Sequence, residues 1–327
     1  MEFRSSDDLT TVETATENIY LVDKQQSALF ESRSALLREL VIAASKEAQD
    51  AHFLSDTMRE VYDTVCKCVN NERDLDKYFS PNTVKFFFDS ISVADKLEVC
   101  RAIGKSLKLP KNPLKLLLST DGTNQSDLAD ETATGRVAYM RNNYTESAFL
   151  KFSKVLANAR SAYFQSFDAV CEEVYSGGCE FCILPLESSS DGRLNSFYTM
   201  IDRFELKIAA VCDIEHHDSQ RFTRFALLKK SLEEVSELRY SAKKQIFEFR
   251  FTSAIGGQSP ISDILRAAEG CGLSLLRLAS LPLPYNDEML SYYVSFTLDG
   301  ADTLTFLTYI TLEFPQCDPL GVYFTVK

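Results

Sequence analysis

Residues 182–208, CILPLESSSDGRLNSFYTMIDRFELKI, run from an apolar segment through Pro185 into Glu187, three serines and Asp191, then past Gly192 into a helical pattern. In open α/β sheets the order strand, polar loop, helix start is where anions are held, because the first N–H groups of the helix point outward unpaired. Glu187, Ser188 and Ser189 stand in that loop. The cysteines offer a second kind of chemistry. Cys179-Glu180-Phe181-Cys182 is a CxxC and Cys66-Lys67-Cys68 a CxC, but a zinc site wants two well-spaced pairs, and the histidines are only those at 52, 216 and 217. A redox CxxC opens a helix, whereas this one leads into a strand. The nine cysteines therefore read as small buried hydrophobes with free thiols in a reducing cytosol, and no metal or cofactor is expected.

Charge narrows the partners. The 327 residues carry a formal net charge of −12, against a general binder of nucleic acid or membrane surfaces, which needs a basic face. Local cations can still hold a small anion. Apolar residues make up 45% and charged residues 25%, enough to bury sizeable cores, and no run of about 18 apolar residues exists to span a bilayer. The opening MEFRSSDDLTTVETATEN is acidic and polar without an apolar core, so residues 1–17 read as a flexible lead-in rather than a signal peptide.

The elements that must position these residues fall into three parts. Residues 18–118 read as nearly all helix. No Gly or Pro interrupts Ile19 to Phe53, and Leu29, Leu36, Leu40 and Ala43 recur at helical spacing. A second helix follows Ser55 or Asp56 and runs to about Val69; Ser80-Pro81 opens a third through Val84, Phe87, Phe88, Ile91 and Ala94. Residues 119–135 are polar, lack core residues and read as a linker. From 136 to 240 strands alternate with helices: strands at 136–140, 161–164, 181–184, 206–212 and 222–228, helices at 144–155, 167–176 and 194–204, which predicts a mainly parallel sheet. Residues 241–327 give a βαββαβ order, with a Gly256-Gly257 turn, which predicts a small ferredoxin-like domain.

Three of these stretches in this order resemble the bifunctional chorismate mutase–prephenate dehydratases of phenylalanine biosynthesis. The family joins a helical mutase, a two-lobed dehydratase and a regulatory ACT domain. SFDAVCEEVYSGGCEFCILPLESSSDG (166–192) is similar to the family's stretch ending in P-[IL]-E-N-S-x-x-G, and Thr223-Arg224-Phe225 to its TRF motif, although read alone that tripeptide is an amphipathic strand segment. Prephenate must lose carboxylate and hydroxide together, so its site needs donors for the anion and a proton source beside the leaving hydroxyl. The resemblance assigns the proton side to Thr223, a carboxylate clamp to Arg224, and the pocket lining to Glu187, Ser188 and Ser189. Asp56-Thr57-Met58-Arg59-Glu60 matches the mutase pattern D-x-x-R-E, and Arg33 and Lys46 lie near the positions of its first-helix cations. The resemblance thus implies catalytic roles for Arg59, Glu60 and Lys46, substrate-binding roles for Arg33 and Asp56, a cytoplasmic homodimer, and chorismate, prephenate or an aromatic amino acid as ligand.

The departures are as specific as the matches. The family's Asn after the Glu is Ser188, which keeps a donor but shortens its reach. Its first glycine-rich loop would follow Tyr139, where Met140-Arg141-Asn142-Asn143-Tyr144 holds no glycine. The 30 residues 193–222 hold one helix and one strand where the family inserts a whole second lobe, so a site here lies open on one side. In the mutase segment no arginine lies between Arg4 and Arg33, and the family's late glutamine falls at Val99, beside Glu98. Ala279-Ser280-Leu281-Pro282 replaces the family's E-S-R-P. Three readings stand: a divergent mutase–dehydratase of reduced activity (an isomerase and a lyase), a non-catalytic regulatory or ligand-binding relative that keeps the scaffold, and a plain interaction protein with an acidic surface.

Overall fold

The computed structural model describes residues 6–48, 53–70, 77–79, 91–112, 115–117, 134–156, 158–216, 221–232, 245–254, 260–283, 286–298 and 302–327. The expected helix start at Ser80-Pro81, nearly all of the 119–135 linker, the Gly256-Gly257 turn, and His52 and His217 lie outside these residues. The chain forms two compact units, Met1–Leu109 and Pro110–Lys327.

The first unit contains α1 (Ser6–Glu47), α2 (Leu54–Asn70) and α3 (Val93–Ser106). Residues 6–17 belong to α1, which corrects for them the flexible lead-in expected over 1–17. Residues 6–18 contain neither Gly nor Pro, and acids near a helix start suit its dipole. The buried seam is also displaced from the expected one. Arg33, Ser34, Leu37, Leu40, Val41, Ala44 and Ala48 are buried, whereas Leu29 is half-exposed. α2 turns Met58, Val61, Tyr62, Val65, Cys68 and Val69 inward. α3 starts at a capping box, in which the Ser92 hydroxyl accepts from the Asp95 N–H and the Asp95 carboxylate accepts from the Ser92 N–H.

The second unit is built on a mixed sheet of β1 (Arg136–Met140), β2 (Arg160–Phe164), β3 (Phe181–Ser188), β4 (Gly192–Arg193), β5 (Lys207–Glu215), β6 (Phe222–Lys229) and β11 (Thr325–Val326). Its order is β11-β5-β6-β3-β1-β2, with β4 paired to β3. The ladders β1–β2, β1–β3 and β5–β11 are parallel; β3–β6, β5–β6 and β3–β4 are antiparallel. The expectation of a mainly parallel sheet is corrected for a simple reason. Only a short loop joins β5 to β6, and a parallel neighbour needs a crossover of about a dozen residues or more. α4 (Asn143–Phe152) packs on one face, over Tyr139, Phe181, Ile183, Phe225 and Leu227; α5 (Phe167–Tyr175) and α6 (Asn195–Arg203) pack on the other, over Ala138, Leu184, Ala226 and Leu228.

Residues 246–323 follow as β7 (Ile246–Ala254), α7 (Ile261–Gly270), β8 (Ser274–Leu283), β9 (Asn286–Thr297), α8 (Thr303–Glu313) and β10 (Asp318–Tyr323). Their sheet is antiparallel throughout, in the order β10-β7-β9-β8. The two sheets share a buried core, to which Tyr198 and Ile201 of α6, Leu206 just before β5 and Ile208 of β5 contribute from one side and Ile246, Tyr293, Leu320 and Tyr323 from the other. After β10 the chain returns as β11 to the edge of β5, and the Val211 N–H donates to the Phe324 carbonyl at 3.0 Å. Gly321 permits the approach: a Cβ there would collide with the Ile208 carbonyl. Among the described residues no helix is long and apolar enough to cross a membrane.

Candidate functional site

β1, β2, β3 and β5 all end at one rim of the mixed sheet, where β6 begins, so the loops after β1, β3 and β5 gather there. At the first of these loops Asn142 does the work of the missing glycine turn. Its carboxamide accepts from the Tyr144 N–H at 3.0 Å and the Thr145 N–H at 2.9 Å, while the Thr145 hydroxyl accepts from the Asn142 N–H at 3.1 Å. The amides that would hold an anion at the start of α4 are thereby occupied by the cap.

The pleat of β6 then separates Thr223 from Arg224. Successive side chains of a strand point to opposite faces. Thr223 shares the face of Phe225 and Leu227, under α4; Arg224 shares that of Ala226 and Leu228. On the α4 face the Thr223 Oγ1 lies 2.9 Å from His216 Nε2. The imidazole stacks on the Tyr144 ring, with centroids 4.5 Å apart, and the His216 backbone N–H donates to the Arg221 carbonyl across the loop. Ser188 stands opposite Thr223 in the β3–β6 register. Its hydroxyl lies 2.8 Å from Ser190 Oγ and donates to the Asp191 carboxylate at 3.1 Å. Ser189 ties β3 to β6, its N–H donating to the Phe222 carbonyl and its hydroxyl accepting from the Phe222 N–H, both at 2.9 Å.

On the opposite face charge is saturated. Asp213, Arg224 and Glu187 form a cross-strand row. Arg224 donates from Nε and Nη2 to the two Asp213 oxygens at 2.7 and 2.9 Å and lies 3.4 Å from Glu187 Oε2, which also accepts from Arg277 of β8 at 2.6 Å. The Asp213 carboxylate raises the Arg224 guanidinium above its ordinary value, against the effect of burial. Farther along this face Arg193 lies between the rings of Tyr198 and Tyr293, its Cζ 3.3 and 4.1 Å from their centroids, with Nη2 3.4 Å from Glu248. Its Nε and Nη1 have no hydrogen-bond partner, so the two ring faces are what solvate them.

In the helical unit Arg33 is buried, donating from Nε and Nη2 to Asp95 at 2.7 and 3.0 Å. Lys46 is exposed in the last turn of α1, thirteen residues on. At about 1.5 Å and 100° per residue the two are about 20 Å apart along the axis and on different sides of the helix. On α2, Asp56 and Glu60 are exposed and Arg59 is half-buried. Glu98 is bonded to Arg101 and reaches Arg38 at 3.4 Å. The structure therefore brings together Thr223, Ser188 and Ser189 at one rim and Glu187 with Arg224 behind it, but it does not bring Arg33 and Lys46 to one point. Sequence reasoning passed over His216, Tyr144, Asp213 and Arg277. His216 had a usable signal in strand alternation, since it stands two residues past Ile214, the cross-strand partner of Thr223, and so lies diagonally from it on the same face; Arg277 had none, because only the packing of a remote strand sets its partner. Among the described residues no group of three or more His, Cys, Asp or Glu is placed to hold a metal. No disulfide joins the nine cysteines, and burial pushes the Cys212 thiol up to about 12 and the Cys182 thiol well above its ordinary value, which disfavours the thiolate at those two.

Residues 140–217 match the family model of prephenate dehydratase. No curated protein matches the chain at a significant level. Among solved structures, the prephenate dehydratase of Streptococcus mutans is 16% identical, with a TM-score of 0.50, over 59% of this chain and 100% of that one. GqqA, described as a novel type of quorum-quenching acylase, is 18% identical, with a TM-score of 0.45, over 57% of this chain and 94% of that one. The prephenate dehydratase of Arthrobacter aurescens in complex with L-Phe is 14% identical, with a TM-score of 0.45, over 57% of this chain and 89% of that one. The first of these is a likeness of fold.

Proposed function

We propose that the chain is a prephenate-dehydratase-like protein of phenylalanine biosynthesis, with its site at the α4 face of the sheet rim. The family match over residues 140–217 carries the reading, because those residues build β3 and β5, the strands that deliver Ser188, Ser189 and His216 to the rim beside Thr223. In the reaction the ring of prephenate loses its carboxylate as CO2, the electron pair of that C–C bond completes the aromatic ring, and the C–OH bond breaks. A proton must reach the departing oxygen to give water. Thr223 is the hydroxyl placed to hand it over, and Ser188 and Ser189 supply donors to the substrate. Arg224 takes no part in gripping substrate, since it faces the other side and is held by Asp213. Reduced turnover belongs to the reading, because the cation of the TRF motif is held by Asp213 on the face away from Thr223.

The finer parts of the reading rest on separate supports. The βαββαβ order with strands in the order β10-β7-β9-β8 supports an ACT-like regulatory domain. The three helices α1–α3 support descent from a chorismate mutase, while the occupation of Arg33 by Asp95 and its distance from Lys46 argue for a scaffold that retains little chorismate turnover. A homodimer and a cytoplasmic location complete the proposal. The test is phenylpyruvate formation from prephenate by the purified full chain, with Thr223→Ala as control. A loss of about a hundredfold or more in the variant is expected, the size typical of removing a proton-transfer group. If prephenate raises the melting temperature but the unaltered protein forms no phenylpyruvate, the non-catalytic ligand-binding relative is the right reading. If it does neither, the proposal falls.

A further inference from the structure

We propose that His216 is a positioning residue that holds the proton Thr223 delivers, so that the acid of this site is a two-membered relay rather than a lone hydroxyl. The inference rests on the dehydratase-like reading of the rim and goes beyond it by naming where the proton resides. An aliphatic hydroxyl binds its proton about as tightly as water does, so Thr223 can release one near neutrality only if another arrives on the same oxygen. The group 2.9 Å from that oxygen is the Nε2 of His216.

The step balances without a further reactant. The imidazolium gives its Nε2 proton to the Thr223 oxygen, the threonine gives its own proton to the departing hydroxyl, and CO2 and water leave with the C–C and C–O bonds broken. Thr223 ends unchanged and His216 ends neutral, to be reprotonated from solvent across its half-exposed face. Imidazole is the side chain best suited to this storage, because its unperturbed pKa of about 6.5 lies closest to neutrality.

The surroundings hold the ring in place for that task. The backbone N–H of His216 already closes the β5–β6 loop on the Arg221 carbonyl, so the hairpin does not need the imidazole. Stacking on Tyr144 fixes the ring plane. Lys151 of α4 donates to the Asp213 carbonyl at 2.9 Å, and Asp191 accepts from Ser188 and Ser190. Glu215 and Arg221 of the hairpin are exposed. Asp213 and Glu187 lie on the far face with Arg224. His216 is the titratable group that the geometry bonds to Thr223.

The test has two arms on the full chain. In the first, the side-chain nitrogen resonances of His216 are followed by NMR against pH in the unaltered protein and in Thr223→Val. The titration midpoint and the Nε2 shift are expected to move in the variant, and superimposable curves overturn the relay. In the second, phenylpyruvate formation is measured against pH. The unaltered rate should fall on the alkaline side as the imidazolium is lost. His216→Gln should lower kcat about a hundredfold, leave KM unchanged and abolish that limb, and added imidazole should restore part of the rate to His216→Ala. An active protein whose pH profile survives His216→Gln overturns the relay alone. No phenylpyruvate from the unaltered protein at any pH overturns the dehydratase reading, and the relay with it.

Discussion

On one face of the sheet rim Thr223 and His216 share a single hydrogen bond and Ser188 bonds only within its own loop, while on the other Glu187, Asp213, Arg224 and Arg277 are locked into ion pairs under β8. The residues that separate these faces, Thr223 and Arg224, are adjacent in the chain. The pleat sets a carboxylate clamp and a proton donor back to back when they are neighbours in sequence, so a motif read as one site becomes two structures with different duties. The ionic face braces the two sheets against each other; the sparse face is left for ligand. Substitutions on the first should therefore change stability, and on the second, chemistry.

The largest effect is expected at Arg193. Its side chain and that of Glu248 are 9% and 6% exposed, and Glu248 also accepts from the Tyr323 hydroxyl at 2.6 Å. Arg193→Met leaves that carboxylate buried without its cation, at a cost of about 3–5 kcal/mol. Urea unfolding should show it, and adding Glu248→Gln to Arg193→Met should recover part of the loss. A variant as stable as the parent removes Arg193 from the brace. At Arg224 the expected loss is smaller, because Asp213 is more than a third exposed and water screens the pair. Arg224→Met should cost about 1–2 kcal/mol and leave the KM for prephenate unchanged. A large rise in KM with unaltered stability would put Arg224 back in the substrate clamp.

Most of the order of elements in the second unit was legible, although β4 was not expected and β3 and β5 run three or four residues past their expected ends. RVAYM at 136–140 and the helix at 261–270 fall where periodicity put them, because apolar alternation and Gly or Pro punctuation are local signals. What the sequence concealed depends on register and on distant strands. The β5–β6 hairpin looked like one more pair of parallel strands because periodicity does not report direction. Glu187 looked like a pocket carboxylate because nothing near it announces Arg277 from β8. The expected Thr223–Arg224 pairing failed for a reason that was available in advance, since a strand alternates its faces.

The helical unit repeats the contrast in milder form and gives it a pH signature. Burial alone pushes the Asp95 carboxyl up, but the Arg33 guanidinium and the Ser92 hydroxyl and N–H outweigh it and hold it below the usual carboxylate range. A carboxyl whose pKa is depressed in the folded state contributes stability above its unfolded pKa, about 3.9, and that contribution is lost as pH falls through the folded value. Helicity followed against denaturant should therefore show stability flat from neutral to about pH 5 and falling below about pH 4, and Asp95→Asn should remove this share of the acid dependence. An unchanged slope would mean that Arg33 does not depend on Asp95, and would reopen its role as a ligand cation.

Ser188 should show the smallest effect and the most selective one. Its hydroxyl touches only Ser190 and Asp191 in an exposed loop, so neither Ser188→Ala nor Ser188→Asn should shift stability by more than about 0.5 kcal/mol. The two should diverge in binding. Alanine removes a donor from the face that carries Thr223, and asparagine restores the longer reach of the residue found here in the dehydratases the sequence resembles. Isothermal titration with prephenate should give weaker binding for the first and tighter binding for the second, each by a factor of about 3–10, the worth of one hydrogen bond near solvent. If both variants bind as the parent does, the loop after β3 takes no part in gripping substrate. The ligand contacts must then come from the α4 side, from Tyr144 and the Asn142 turn.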